Sequence, residues 1–185
     1  MSWDLPLSVN IDGVEYAIRN KCDYRVVLDT IKALNDEDLE LVHRIDCALF
    51  IFYEDLNGCK NIQKAVDEMM KIINLGKEEQ DNNDNKPQLI DWEHDFPNIV
   101  PPVSRVLGYS VRDVDRYTHW YDFIGAYHEI GNECSWAVTI SIRSKRMKGK
   151  KLETWEQEYL NENYDMVMLP LKLTEEDREF LFDDE

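Results

Sequence analysis

Apolar and polar residues alternate near the start of the chain, with Leu7, Val9 and Ile11 on one side of Asp12-Gly13 and Val14, Tyr16 and Ile18 on the other. Period-two alternation predicts strands, and Asp-Gly suits the positive φ angles of a type I′ turn, so this stretch reads as a hairpin. Two strands are marginal alone, and the hairpin's apolar face should lie on helices. From residue 23 the period becomes helical. Asp23 can cap a helix bearing Tyr24, Val27, Leu28, Ile31 and Leu34. Asn35-Asp36 ends it and starts a second, whose first turn holds Glu37, Asp38 and Glu40, where the helix dipole favours acids. That second helix closes on residues 47–53, apolar on every side and therefore expected to be enclosed. A third, residues 61–75, sets Ile62, Ala65, Val66, Met69, Ile72 and Ile73 on one face and stops at Gly76.

Residues 76–87 are rich in Asp, Asn and Glu with nothing to bury, and predict an acidic mobile linker. They divide the chain into residues 1–75, a hairpin plus a helical half, and residues 88–185, a second helical half. The expected fold is mainly α: an N-terminal β-hairpin followed by two small helical bundles. Beyond the linker, Asp91 is a cap, but Pro97, Pro101 and Pro102 argue for a short turn and then a helix from about Pro101 to before Gly108. Ser110 with Asp113 resembles a capping box, so the following helix is expected to begin before residue 117. Its densest part, residues 117–130, places Trp120, Phe123, Ile124, Tyr127 and Ile130 on one broad stripe, a structural core for the C-terminal half.

Residues 135–147 carry two signals. Trp136, Val138, Ile140 and Ile142 alternate as in a strand, whereas a capping Ser135 and the Arg/Lys end suit a helix. Residues 153–163 read as a helix with Leu152, Trp155, Tyr159 and Leu160 inward, and residues 174–182 as a short acidic helix.

The net charge of −17 repels nucleic acid and anionic membranes and points to a protein partner. No stretch is long and apolar enough to span a bilayer, and the first residues lack the pattern of a signal peptide. Cys22, Cys47, Cys59 and Cys134 show no Cys-x-x-Cys spacing and read as reduced thiols of a cytosolic protein.

Three groups are candidates for chemistry. Asp91, Glu93, His94 and Asp95 crowd metal-type ligands together, but carboxylates at a helix start more often satisfy orphan amides, and no metal is expected. His119 and His128 are each able to serve as a base, yet nine residues apart on a regular helix they face opposite ways. No nucleophile elbow, activated cysteine or glycine-rich phosphate loop accompanies them, so neither enzyme nor cofactor is expected. The third group is the only marked charge anomaly: Arg143, Lys145, Arg146, Lys148, Lys150 and Lys151 occur without an intervening acid. It is either a solvated helix end facing the acidic C-terminal segment or a partner-binding patch.

DLPLSVNIDGVEYAI with the helix start at Asp23-Tyr24-Arg25, then DWEHDFPNIVPPVSRVLGYSVRD, THWYDFIGAYHEIG and ISIRSKRMKGKKLETWEQEY, resemble the gene-product-fifteen proteins of long-tailed bacteriophages. The resemblance covers nearly the whole chain apart from the linker and the last dozen residues. It implies a helix at residues 135–147 and a tail assembly chaperone: a protein of the infected host's cytoplasm that binds the tape-measure protein, assists polymerisation of the tail tube protein, can self-associate and is absent from the finished virion. It carries over no catalytic residue. The alternative is a structural phage component, either a head-to-tail connector or a minor tail protein.

Overall fold

The computed structural model describes residues 4–76 and 89–170. The segments expected as linker and as C-terminal acidic helix therefore lie, save for Gly76, outside the described residues. Among the described residues are a two-stranded antiparallel sheet and eight helices, and the fold is mainly α.

Strands β1 (Ser8–Ile11) and β2 (Val14–Ala17) pair with Ile11 opposite Val14. Asp12 and Gly13 have φ of 53° and 88°, the two positive values a type I′ turn needs. Val9, Ile11, Tyr16 and Ile18 are buried, while Leu7 and Val14 stay exposed. Next come α1 (Tyr24–Leu34), α2 (Leu41–Phe52) and α3 (Ile62–Ile73). The Asp23 carboxylate caps α1 through the Arg25 amide, and Asn61 caps α3 through that of Lys64. Helix α2 starts later than expected. Asp36 accepts from the Asp38 amide and closes a turn of its own, so the acids at 37 and 38 precede the helix instead of filling its first turn.

Helix α4 runs unbroken from Trp92 to Leu107 through Pro97, Pro101 and Pro102, where a turn and a shorter helix were expected. Each proline removes a donor but keeps a φ suited to a helix. Full burial of Ile99 and Val103 and near-full burial of Val100 outweigh the missing bonds. Helix α5 (Trp120–His128) starts with His119 as its N-cap. The expected earlier start fails because Ser110 and Asp113 each cap a local turn, and Val114 and Tyr117 are exposed. Helices α6 (Ser135–Met147), α7 (Thr154–Glu162) and α8 (Tyr164–Val167) follow. The alternation at 136–142 belongs to a helix. Its N-cap is Cys134, whose side chain makes no capping bond, rather than Ser135.

Among the described residues, packing makes two compact units: residues 4–76 with 97–131, and residues 89–96 with 132–170. The chain also divides at 96/97 and at 131/132, so the stripe on α5 belongs with the N-terminal segments instead of founding a C-terminal half. In the first unit the Phe123 ring stacks on Tyr24 at 4.4 Å between centroids and lies near-parallel to Trp120 at 6.0 Å. Trp120 donates its indole N–H to the Ile73 carbonyl at 3.1 Å and its amide to Cys22 at 2.9 Å. Tyr24 donates its hydroxyl to Val111 at 2.6 Å. Residues 20–22 all have positive φ, a left-handed run that turns the Lys21 and Cys22 carbonyls toward the Tyr117 hydroxyl and the Trp120 amide. Tyr127 and Ile130 are only half-buried, and Ile130 falls beyond the end of α5.

In the second unit Ile142 of α6, Leu160 of α7 and Val167 of α8 form a core to which Val138, Leu152, Tyr159 and Met168 add. Trp155, expected inward, is 55% exposed; Glu156 takes the buried place beside it. Residues 47–53 also depart from the expected enclosure. Ala48, Leu49, Phe52 and Tyr53 are buried, but Cys47 is exposed and Phe50 is 77% exposed.

Candidate functional site

The six cations between residues 143 and 151 do not form one surface. Arg143 sits on the inward side of α6, 5% exposed, its guanidinium forked onto the fully buried Asp95 at 2.7 and 2.8 Å. The remaining donors go to the carbonyls of Val167 at 2.7 Å, Leu89 at 2.9 Å and Met166 at 3.0 Å. The guanidinium also lies 5.7 Å from the centre of the Trp136 ring. An arginine whose donors are all directed at one carboxylate and three carbonyls fastens the start of α4 and the end of α8 to α6. It offers nothing to a partner, and its place in the expected patch is withdrawn.

Lys145 is partly committed as well. Its ammonium meets both oxygens of Glu156 at 2.7 and 2.8 Å. The Glu156 carboxylate, accepting also from the Glu153 amide, forms one arm of a capping box at the start of α7. The lysine and then that amide hold the Glu156 carboxyl below the ordinary range.

Arg146, Lys148, Lys150 and Lys151 remain exposed. Gly149, at φ of 61°, closes the end of α6 while the Lys150 amide reaches back to the Lys145 carbonyl at 2.8 Å. The four cations therefore surround a helix C-terminus, where the dipole favours positive charge. Met147 at 44% and Trp155 at 55% exposure bring apolar surface to the same stretch of chain. Four charges and two large apolar side chains suit an acidic, partly apolar protein surface.

Of the other candidates, Asp91, Asp95 and His119 are absorbed by structure. Asp91 caps α4 through the Glu93 and His94 amides, both at 3.0 Å, and Asp95 accepts from Arg143 and from the Asp91 amide. The two aspartates thus spend their oxygens on the helix start and the buried ion pair. His119 is fully buried; Nδ1 accepts from the Tyr121 amide at 3.0 Å, which fixes the Nε2–H tautomer that donates to the Pro6 carbonyl at 3.1 Å. Both ring nitrogens are used, Nδ1 in capping α5 and Nε2 in tying it to the segment ahead of the hairpin. His128 is exposed at the last position of α5.

What the sequence did not disclose is the pairing of Asp95 with Arg143, 48 positions apart. The available signal was one arginine inside an otherwise apolar helix face, and it was hidden by the cations that follow it. Arg19 and Arg25 act similarly in the first unit. Arg19 gathers the carbonyls of Phe50, Ile51 and Tyr53, and Arg25 those of Asp113, Val114 and Arg116.

Among the described residues no helix is long and apolar enough to cross a membrane. No curated protein and no solved structure matches the chain. A family model described as Bacteriophage Gp15 protein matches residues 1–169, from ahead of the hairpin to just beyond α8. With that match spanning both units, the chain belongs to the Bacteriophage Gp15 protein family.

Proposed function

We propose that this phage protein is a tail assembly chaperone: a non-enzymatic protein of the infected host's cytoplasm that binds the tape-measure protein, helps the tail tube protein polymerise around it and is left out of the finished virion. The observation that carries this reading is the pairing, within a bacteriophage family, of a strongly acidic chain with exposed apolar side chains beside free-standing cations. A chaperone for a long apolar helical client needs apolar contact surface, and it needs net charge to keep the complex from aggregating. Met147 and Trp155 supply contact on the second unit, and Arg146, Lys148, Lys150 and Lys151 steer the encounter.

Co-expression with the tape-measure protein tests the reading. The client is expected to be recovered soluble and bound to this chain, and reversing the four exposed cations to glutamate should slow association about tenfold or more at low salt. A client equally soluble and unbound with and without this chain overturns it. Mass spectrometry of purified virions is expected to find the protein missing or in trace; stoichiometric amounts would make it a structural component instead.

A further inference from the structure

The second helix of the first unit carries an apolar face that nothing in the described chain covers. Val42, Asp46 and Phe50 follow one another at four-residue spacing and so share one face of α2. Val42 is 64% exposed and Phe50 77%, with Cys47 exposed beside them and Leu41 68% exposed at the helix start. Solvent-facing Val and Phe do not help α2 to fold. The opposite face does that, with Ala48, Leu49 and Phe52 buried.

The face is also held rigid. Arg19 donates to the carbonyls of Phe50, Ile51 and Tyr53, and its guanidinium lies 5.6 Å from the centre of the Phe50 ring. The backbone beneath Phe50 is pinned while its ring is left in water, the arrangement of a preformed contact residue. Its electrostatic setting selects the partner. Residues 36–55 hold seven acidic residues against one arginine. Asp38, Glu40, Asp46, Glu54 and Asp55 are exposed, while that arginine, Arg44, turns its Nε to the Leu39 carbonyl.

We propose that α2 is a docking surface for a basic amphipathic helix of a partner protein, whose apolar side chains pack on Val42 and Phe50 while its lysines and arginines meet the flanking acids. The acidic frame rejects nucleic acid, anionic lipid and acidic peptides, and the open aromatic ring accepts an aliphatic side chain or a cation. This surface belongs to the first unit and the basic end of α6 to the second, and the proposal stands whether or not the client is a tape-measure protein.

The test uses the full chain and a synthetic leucine–lysine peptide of about 18 residues, long enough to form a helix when bound, with leucines at helical spacing. Its counterpart has every lysine replaced by glutamate. The lysine peptide is expected to bind in fluorescence anisotropy, weakening as salt rises, and the glutamate peptide to fail. Val42→Ser with Phe50→Ser should weaken binding about tenfold or more, and Asp46→Lys should do so without touching the apolar contacts. All these positions are exposed, and the variants are expected to keep the fold, which circular dichroism checks. Lys148→Glu with Lys150→Glu, at the other surface, should leave peptide binding unweakened. The proposal is overturned if the lysine peptide does not bind, if the glutamate peptide binds as tightly, or if the serine variant binds unchanged. It is equally overturned if sedimentation shows the native chain associating with itself and the serine variant monomeric, since the face would then be a contact between copies.

Discussion

At the scale of single residues, the second unit depends on Arg143. Two charges out of water are tolerated only when their hydrogen bonds are complete, and the donors on Arg143 and both oxygens of Asp95 are engaged. Arg143→Ala leaves the Asp95 charge buried without its counter-ion, and is expected to cost about 3–5 kcal/mol, read from urea unfolding followed by the fluorescence change around Trp136. Lys148→Ala, on an exposed side chain of the same charge, should stay within about 0.5 kcal/mol. Glu156 gives the second unit a pH dependence. Its folded carboxyl titrates below the ordinary Glu value, so its stabilising contribution is complete above that value and is lost as pH falls through the folded one. The urea midpoint of Glu156→Gln should therefore lie below that of the native chain at pH 7 and converge on it as the solution is acidified past the carboxylate range.

At the scale of elements, the informative one is α4. A helix carrying three prolines is held by its cap at Asp91, its fastening at Asp95 and the burial of Ile99, Val100 and Val103 rather than by its own hydrogen bonds. Pro97 is exposed, so its ring contributes little packing. Pro97→Ala restores an amide donor in the helix interior and removes a clash worth about 3 kcal/mol, against roughly 1 kcal/mol lost by freeing the unfolded chain. A net gain of about 1 kcal/mol or more is expected in thermal unfolding. A decrease would mean that the proline sets the helix direction that brings Asp95 to Arg143. Helix α6 shows a related competition. Its alternating Trp136, Val138, Ile140 and Ile142 fit a strand, yet Thr139 and Arg143 are buried with Trp136 and Ile142, a set that only helical spacing places on one broad side.

At the scale of the whole molecule, distant segments share one core in the first unit. Trp120 joins Cys22, Ile73 and Phe123 through two hydrogen bonds and a ring contact, and is 2% exposed. Trp120→Asp places an unpaired carboxylate there and removes the ring, so a loss of at least about 3–5 kcal/mol is expected. Near-ultraviolet circular dichroism and hydrogen exchange should then show the hairpin, α1 and α5 losing protection together. Exchange confined to α5 would mean that the helix is an appendage rather than a member of the core.

The sequence alone determined the features that repeat or close over a few residues. The hairpin with its Asp-Gly turn, the cap at Asp23, the mainly α class and the amphipathic faces of α1 and α3 follow from local periodicity and from side chains that reach only their neighbours. The motifs that resembled a phage family were legible for the same reason, since they are runs of residues. Tertiary structure alone decided which segments share a core, because α5 meets α1 through contacts nearly a hundred residues apart that no local pattern encodes. It also decided which cations face water: Arg143 and Arg146 look alike in sequence, but one meets Asp95 and the other meets solvent. And it decided that an apolar run at the end of α2 is buried on one side only. A helix apolar all round specifies that it can be enclosed, whereas the neighbours packed against it determine how much of it is, and here Phe50 stays 77% exposed.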